Sequence, residues 1–229
     1  MRRLIVLTAV FFLTHLSPVG AQITVIDDFT DGFFEETLLP GERLNQRQTD
    51  LSGVLGGQRW FRVSDIRANP GPGSVTVGIL DRDNGVASVS SDIYIEALSL
   101  TYENLSLDLT KPEFSVFNID LNIRSLAANS PVSFDVRVYF VDSQLDSATY
   151  YALVQESGQH DLSTDFAGLF VDDGFDPSDV EAISVSLGGA FNGEVAYDID
   201  RIYFVPEPRS GPVLLGVFLL VLGSVRRHA

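Results

Sequence analysis

Apolar and polar residues alternate one by one through much of the chain. Phe117, Ile119, Leu121 and Ile123 are separated by Asn118, Asp120 and Asn122, with Arg124 following. Phe134, Val136, Val138 and Phe140 repeat the pattern against Ser133, Asp135, Arg137 and Tyr139. Successive side chains of an extended chain point to opposite faces, so each run predicts a strand with one buried face. The polar stretch Ser125–Ser130 between them reads as a loop, which makes the two runs an antiparallel hairpin with a single polar face over residues 114–141. Ile183, Val185 and Leu187 alternate in the same way. Further strands are expected over Ile23–Phe29, Val54–Val63, Ser74–Leu80, Val86–Ser90, Ile93–Tyr102, Ala148–Gln155 and Glu194–Val205. Asn84-Gly85 marks a tight hairpin turn, because both residue types tolerate positive φ. The one helical signal is Asp176-Pro177-Ser178-Asp179, with an N-cap, a proline at the first helical position and an acid in the first turn. About ten strands and one turn of helix predict an all-β antiparallel sandwich, and the length suits a jelly roll.

Both ends of the chain depart from this pattern. Met1-Arg2-Arg3 is a basic start, Leu4–Leu16 is mostly apolar, and Val19-Gly20-Ala21 supplies small residues. That order predicts a helical secretory signal over residues 1–21, cut between Ala21 and Gln22 by signal peptidase. At the other end Val213–Val225 is apolar and Arg226-Arg227 follows. As a helix this run is about 20 Å long, short of the roughly 30 Å hydrocarbon core of a bilayer. Arginines after the span favour a cytoplasmic C-terminus and an exported body.

Val205-Pro206-Glu207-Pro208, the short Leu/Val/Gly run and Arg226-Arg227 resemble the PEP-CTERM sorting signal of Gram-negative bacteria that make exopolysaccharide. The resemblance implies an exosortase that recognises Pro206-Glu207-Pro208, removes residues 205–229 as a sorting segment and passes the body to the cell surface or matrix. The inner membrane would then be a temporary partner, and a marginal span suits a temporary anchor.

The body between the two segments carries 30 Asp and Glu against 10 Lys and Arg over residues 22–205, a net charge of −20, while the whole chain is −16. Such a surface repels nucleic acid. The chain has no cysteine, so disulfides, thiolate metal sites and cysteine nucleophiles are excluded. Asp28-Phe29-Thr30-Asp31-Gly32, followed by Val54-Leu55-Gly56-Gly57-Gln58-Arg59, is similar to the opening of galactose-binding-like jelly rolls, including the CIA30 and family 11 carbohydrate-binding groups. Leu107-Asp108-Leu109-Thr110 and Asp198-Ile199-Asp200-Arg201-Ile202 resemble their middle and closing stretches. The resemblance implies a jelly-roll body over residues 22–204 and a structural calcium near the meeting of first and last strands, with Asp28 and Asp198 as its ligands.

Candidate chemistry is sparse. His160 is the only histidine of the body and reads as a turn residue, since no nucleophile motif accompanies it. Glycoside hydrolysis needs only a spaced pair of carboxylates, but the acids here are spread over turns and outward strand positions, and no enzyme is expected. On the polar face of the 114–141 pair, Asp120, Asn122, Arg137 and Tyr139 offer donors and acceptors for sugar hydroxyls and a ring to stack on. Trp60 reads as a core or rim aromatic. The chain is therefore expected to be an exported, non-catalytic surface or matrix protein associated with exopolysaccharide. The alternative is a dedicated carbohydrate-binding module using the 114–141 face.

Overall fold

The computed structural model describes residues 22–64, 73–81, 85–92, 97–126, 134–188 and 195–207. These form β1 (Thr24–Asp27), β2 (Phe34–Leu38), β3 (Leu44–Thr49), β4 (Gln58–Ser64), β5 (Val75–Leu80), β6 (Val86–Ser91) and β7 (Ala97–Tyr102). They continue as β8 (Val116–Leu126), β9 (Phe134–Asp142), β10 (Ser147–Val154), β11 (Gly158–Asp165), β12 (Phe170–Val171), β13 (Val180–Gly188) and β14 (Val195–Val205). Two antiparallel sheets result. The first runs β11-β8-β14-β6-β5-β2, with β1 beside the C-terminal part of β14; the second runs β12-β10-β9-β13-β7-β4-β3.

The alternation explains the core. Phe117, Ile119, Leu121 and Ile123 of β8 are buried, and so are Phe134, Val136, Val138 and Phe140 of β9. Phe117 meets Phe140 edge-on at 5.3 Å and Phe134 meets Tyr197 at 4.8 Å, so the two rows interlock between the sheets. Each large apolar side chain buried this way stabilises the fold by roughly 1.5–3 kcal/mol.

That interlock also corrects the expected hairpin. β8 pairs with β11 and β14, whereas β9 pairs with β10 and β13. Alternation specifies a buried face but not a partner. Two strands of opposed sheets satisfy it as well as two strands of one hairpin. The polar residues of the 114–141 segment consequently lie on opposite outer surfaces of the sandwich. Asp120 and Asn122 are on the first sheet, Arg137 and Tyr139 on the second.

Two local expectations are also revised. Asp176 caps a turn rather than a helix: its Oδ1 accepts from the Ser178 amide at 2.9 Å and hydroxyl at 2.7 Å, and the Asp179 amide donates to its carbonyl at 3.2 Å. β13 starts directly afterwards, because the Val180 backbone pairs with Leu107. His160 lies within β11, opposite Leu121 of β8, and not in a turn. The β5–β6 hairpin is as expected, with Leu80 opposite Val86. Gly85 has φ +96°, and a Cβ there would overlap the Phe29 carbonyl, so only glycine fits.

The terminal segments lie mostly outside the described residues, including Ala21, Pro208, Arg226, Arg227 and both expected flanking helices. Gln22 is exposed ahead of β1, and Pro206 and Glu207 follow β14 without regular structure. No helix among the described residues is long and apolar enough to cross a membrane.

Candidate functional site

The two outer faces differ in what the sheet register brings together. On the first sheet, Asp120 stands opposite Arg201 of β14. Its Oδ2 accepts from the Arg201 guanidinium at 3.1 Å and its Oδ1 from the Tyr203 hydroxyl at 3.0 Å. Arg201 also lies over the Tyr203 ring at 4.0 Å. Burial, aided by the Asp120 carboxylate, pushes the Tyr203 phenol above its ordinary range. Beside this group Arg124 pairs with Asp198 at 2.8 Å and donates to the Ser88 hydroxyl at 3.0 Å. Arg124 and Arg201 of this face are therefore each matched to a carboxylate of their own.

On the second sheet, one row across the strands reads Thr149, Tyr139, Ser184, Thr101, Trp60 and Arg47. The adjacent row reads Tyr151, Arg137, Ser186, Ser99, Arg62 and Asn45. The two central strands, β13 and β7, thus contribute only Ser and Thr here, and Thr101 and Ser184 share a hydroxyl hydrogen bond of 3.1 Å. Long side chains rise on either side: Tyr139, Tyr151 and Arg137 on β9 and β10, and Trp60, Arg62 and Arg47 on β4 and β3. Strands lie about 4.8 Å apart, so the strands carrying Tyr139 and Trp60 are separated by roughly 14 Å. On this face a strip of small hydroxyl side chains, here termed the channel, thus lies between aromatic and arginine positions on either side.

The walls are held by their own polar contacts. Asp135 accepts from Arg137 at 3.1 Å and from the Tyr151 hydroxyl at 3.1 Å, and Arg137 lies 5.6 Å from the Tyr151 ring centre. Asp135 and the Tyr139 hydroxyl hold the Arg137 guanidinium above even its ordinary range. Across the floor, Trp60 Nε1 donates to Glu103 at 2.9 Å, while Arg62 and Arg47 lie 4.5 and 5.2 Å from the indole centre. Tyr151 is 42% exposed.

Of the sequence-derived sugar residues, the structure therefore keeps Arg137 and Tyr139 together and removes Asp120 and Asn122 to the opposite face. Tyr151, Trp60, Ser184, Ser186, Ser99 and Thr101 join the channel instead. Tyr151 could have been found from the alternation Thr149, Tyr151, Leu153 in its strand. The serines carry no signal by themselves.

The expected calcium ligands do not share a site. Asp28 turns inward on its own loop, accepting from the Thr30 amide at 3.1 Å and hydroxyl at 2.7 Å. Asp198 is held by Arg124, and a guanidinium at 2.8 Å opposes a second cation there. Among the described residues no group of three or more His, Asp and Glu side chains converges as a metal site would require. At the end of β1 the positive charge comes from the chain itself. Arg59, fully buried, donates to Asp27 at 2.6 Å, to the Asp31 carbonyl at 3.1 Å and to Gln48 at 2.6 and 3.0 Å. Carboxylate, carbonyl and amide oxygens are the donor types that calcium takes, and here they surround a guanidinium.

No protein-family model and no curated protein matches the chain. Among solved structures it is similar to the family 11 carbohydrate-binding module of a cellulosomal cellulase of Clostridium thermocellum, at 10% identity and TM-score 0.41 over 82% of this chain and 96% of that one. It is similar to an agarase at 11% identity and TM-score 0.47, covering 83% of this chain but 25% of the agarase. A xylan-binding domain from Paenibacillus barcinonensis is similar at 13% identity and TM-score 0.32, over 83% of this chain and 98% of that domain.

Proposed function

We propose that the protein is an exported, non-catalytic polysaccharide-binding domain whose ligand lies in the channel across the outer face of the second sheet. The observation that carries this reading is the register itself. It sets Ser184, Ser186, Ser99 and Thr101 as a floor between Tyr139 and Tyr151 on one side and Trp60 on the other. Sugars present apolar ring faces and hydroxyl edges. Tyrosine rings match the faces, and serine, arginine and carboxylate groups match the edges. The two carboxylates of the channel, Asp135 and Glu103, are each tied to a neighbouring side chain, which suits acceptors of sugar hydroxyls.

Electrophoresis in native gels containing a panel of polysaccharides tests the reading. At least one polysaccharide should retard the protein. Tyr139→Ala and Tyr151→Ala should abolish the retardation, and Ser186→Leu, which raises the floor without removing a wall, should reduce it strongly. Asn122→Ala, on the opposite face, should leave it unchanged. Retention of the retardation in all three channel variants would overturn the assignment of the channel.

Export and sorting belong to the same proposal and rest on the terminal motifs. Signal peptidase would release residues 1–21, and an exosortase would act at Pro206-Glu207-Pro208, leaving the body at the cell surface or in an exopolysaccharide matrix. Intact mass of the protein from its native host checks this. The mass should lack Met1–Ala21 and the tail, and Pro206→Ala with Pro208→Ala should leave the tail attached in the membrane fraction.

A further inference from the structure

We infer that the channel's ligand is an anionic polysaccharide, and that Arg62 and Arg47, flanking Trp60, recognise its acidic group. This rests on the channel being the binding site. The two arginines differ from the others whose ion pairs the structure shows. Arg124 pairs with Asp198 at 2.8 Å, Arg201 with Asp120 at 3.1 Å, Arg137 with Asp135 at 3.1 Å, and buried Arg59 with Asp27 at 2.6 Å. Arg62 has no carboxylate partner among the described residues, and the nearest one to Arg47 is Glu103 at 4.0 Å. Glu103 is already engaged by Trp60 Nε1 at 2.9 Å. Among the described residues one carboxylate thus stands beside two guanidiniums, which leaves the cluster an excess positive charge in a chain that is otherwise strongly acidic.

The cluster is also ordered for recognition. Trp60 is fixed by its bond to Glu103, and both guanidiniums lie against its ring, at 4.5 Å for Arg62 and 5.2 Å for Arg47. An arginine stacked on an aromatic ring loses little further freedom when it binds, and its planar fork fits the two oxygens of a carboxylate or sulfate. Arg47 stands directly opposite Trp60 and Arg62 two residues further along β4, so both face the same end of the channel. Covering the indole removes it as a free platform for a neutral ring, which leaves the tyrosine wall to do the stacking. The net charge of the body opposes any polyanion at long range. At physiological salt that repulsion is screened beyond about 8 Å, so the guanidiniums at the point of contact decide.

The test compares matched probes on the full-length protein in detergent: polygalacturonate against fully methyl-esterified pectin, and dextran sulfate against dextran. Affinity is measured by calorimetry. The charged member of at least one pair should bind about tenfold more tightly than its neutral counterpart, and the difference should shrink as sodium chloride is raised. Arg62→Gln and Arg47→Gln should each remove most of that difference; Arg62→Gln should leave thermal stability unchanged, while Arg47→Gln, which also loses the 2.8 Å bond to buried Gln58 Oε1, should lower it slightly. Preference for the pectin pair identifies a carboxylate ligand, and preference for the dextran pair identifies a sulfate. Equal binding of charged and neutral members, unchanged in Arg62→Gln and Arg47→Gln yet lost in Tyr151→Ala, would overturn the anionic ligand and leave the channel standing. Binding that Tyr139→Ala and Tyr151→Ala do not affect would overturn the channel itself.

Discussion

Replacing Arg59 by methionine is the sharpest perturbation of the fold. Methionine keeps much of the aliphatic stem and removes the guanidinium, which donates to Asp27, Gln48 and the Asp31 carbonyl. Asp27 is fully buried and would keep only the Phe29 amide, at 2.9 Å, and the Tyr102 hydroxyl, at 2.9 Å. Breaking a buried ion pair by removing one partner costs about 3–5 kcal/mol, a large part of the 5–15 kcal/mol typical of a domain. The melting temperature should fall by roughly 6–20 °C. Urea unfolding followed by the fluorescence of Trp60, the only tryptophan, measures the free-energy loss. Its pH dependence tests the cause. Burial pushes the Asp27 carboxyl above its ordinary 3.8, against the opposing pull of Arg59 and of the hydrogen bonds from Phe29 and Tyr102. An acid raised in the folded state adds stability below 3.8, and loses that contribution as pH rises through the folded value. Without Arg59 the folded value moves further up, so the deficit of the variant is greatest above it and shrinks as pH is lowered toward 3.8. Adding Asp27→Asn should restore part of the loss at neutral pH. A deficit that stays constant from pH 8 down to about pH 4.5 would refute the charge argument and leave lost packing as the cause.

Phe117→Ala removes a ring that touches both Phe140 at 5.3 Å and Phe204 at 5.4 Å; it should cost about 3–5 kcal/mol in the same unfolding assay. Asp142 is buried and accepts from the amides of Gln144 at 2.9 Å, Asp146 at 3.0 Å and Asp176 at 2.8 Å. Asp142→Ala should therefore cost about 2–4 kcal/mol and speed proteolysis between β9 and β10 more than elsewhere. The Ser178 hydroxyl and amide hold the Asp176 carboxyl below 3.8, and the Thr110 hydroxyl, with the Thr110 amide and Lys111, does the same for Asp108. Both should titrate below 3.8 by carbon-detected NMR. Their stabilising contribution should be present above 3.8 and lost as pH falls through the folded values.

The longest interior strands were legible because they bury one face: β8 and β9 alternate throughout, β13 from Ile183 onward, and β14 on both sides of a bulge at Ile199/Arg201. The four strands that the pattern missed stand at the ends of the two sheets, while β1, which pairs with β14 alone, was expected. β2 and β11 close the first sheet and β3 and β12 the second. Their sequences, Phe34-Glu35-Glu36-Thr37-Leu38, Leu44-Asn45-Gln46-Arg47-Gln48-Thr49 and Gly158-Gln159-His160-Asp161-Leu162-Ser163-Thr164-Asp165, are dominated by polar and charged residues, and β12 is only two residues long. An edge strand exposes a row of unpaired backbone groups, and charge or brevity there discourages pairing with another chain. The same chemistry erases the apolar period by which a strand is recognised.

The candidate site was half legible for a related reason. Residues that carry chemistry on their own, such as Arg137 and Tyr139, can be picked out from the sequence, but their neighbours are decided by strand order. Asp120 and Arg137 are brought near each other only if β8 pairs with β9, and the long-range pairing of β8 with β14 puts the thickness of the core between them. Conversely, Ser184 and Thr101 are 83 residues apart in sequence and meet at 3.1 Å. A serine on a solvent-facing strand position means nothing until the register sets it between Tyr139 and Trp60. The channel is therefore a property of the order β9-β13-β7-β4 and not of any motif. Shifting one of those strands by a single residue would turn its small polar residues inward and present its core residues to solvent, and the packing that fixes the sandwich is thus also what fixes the ligand-facing surface.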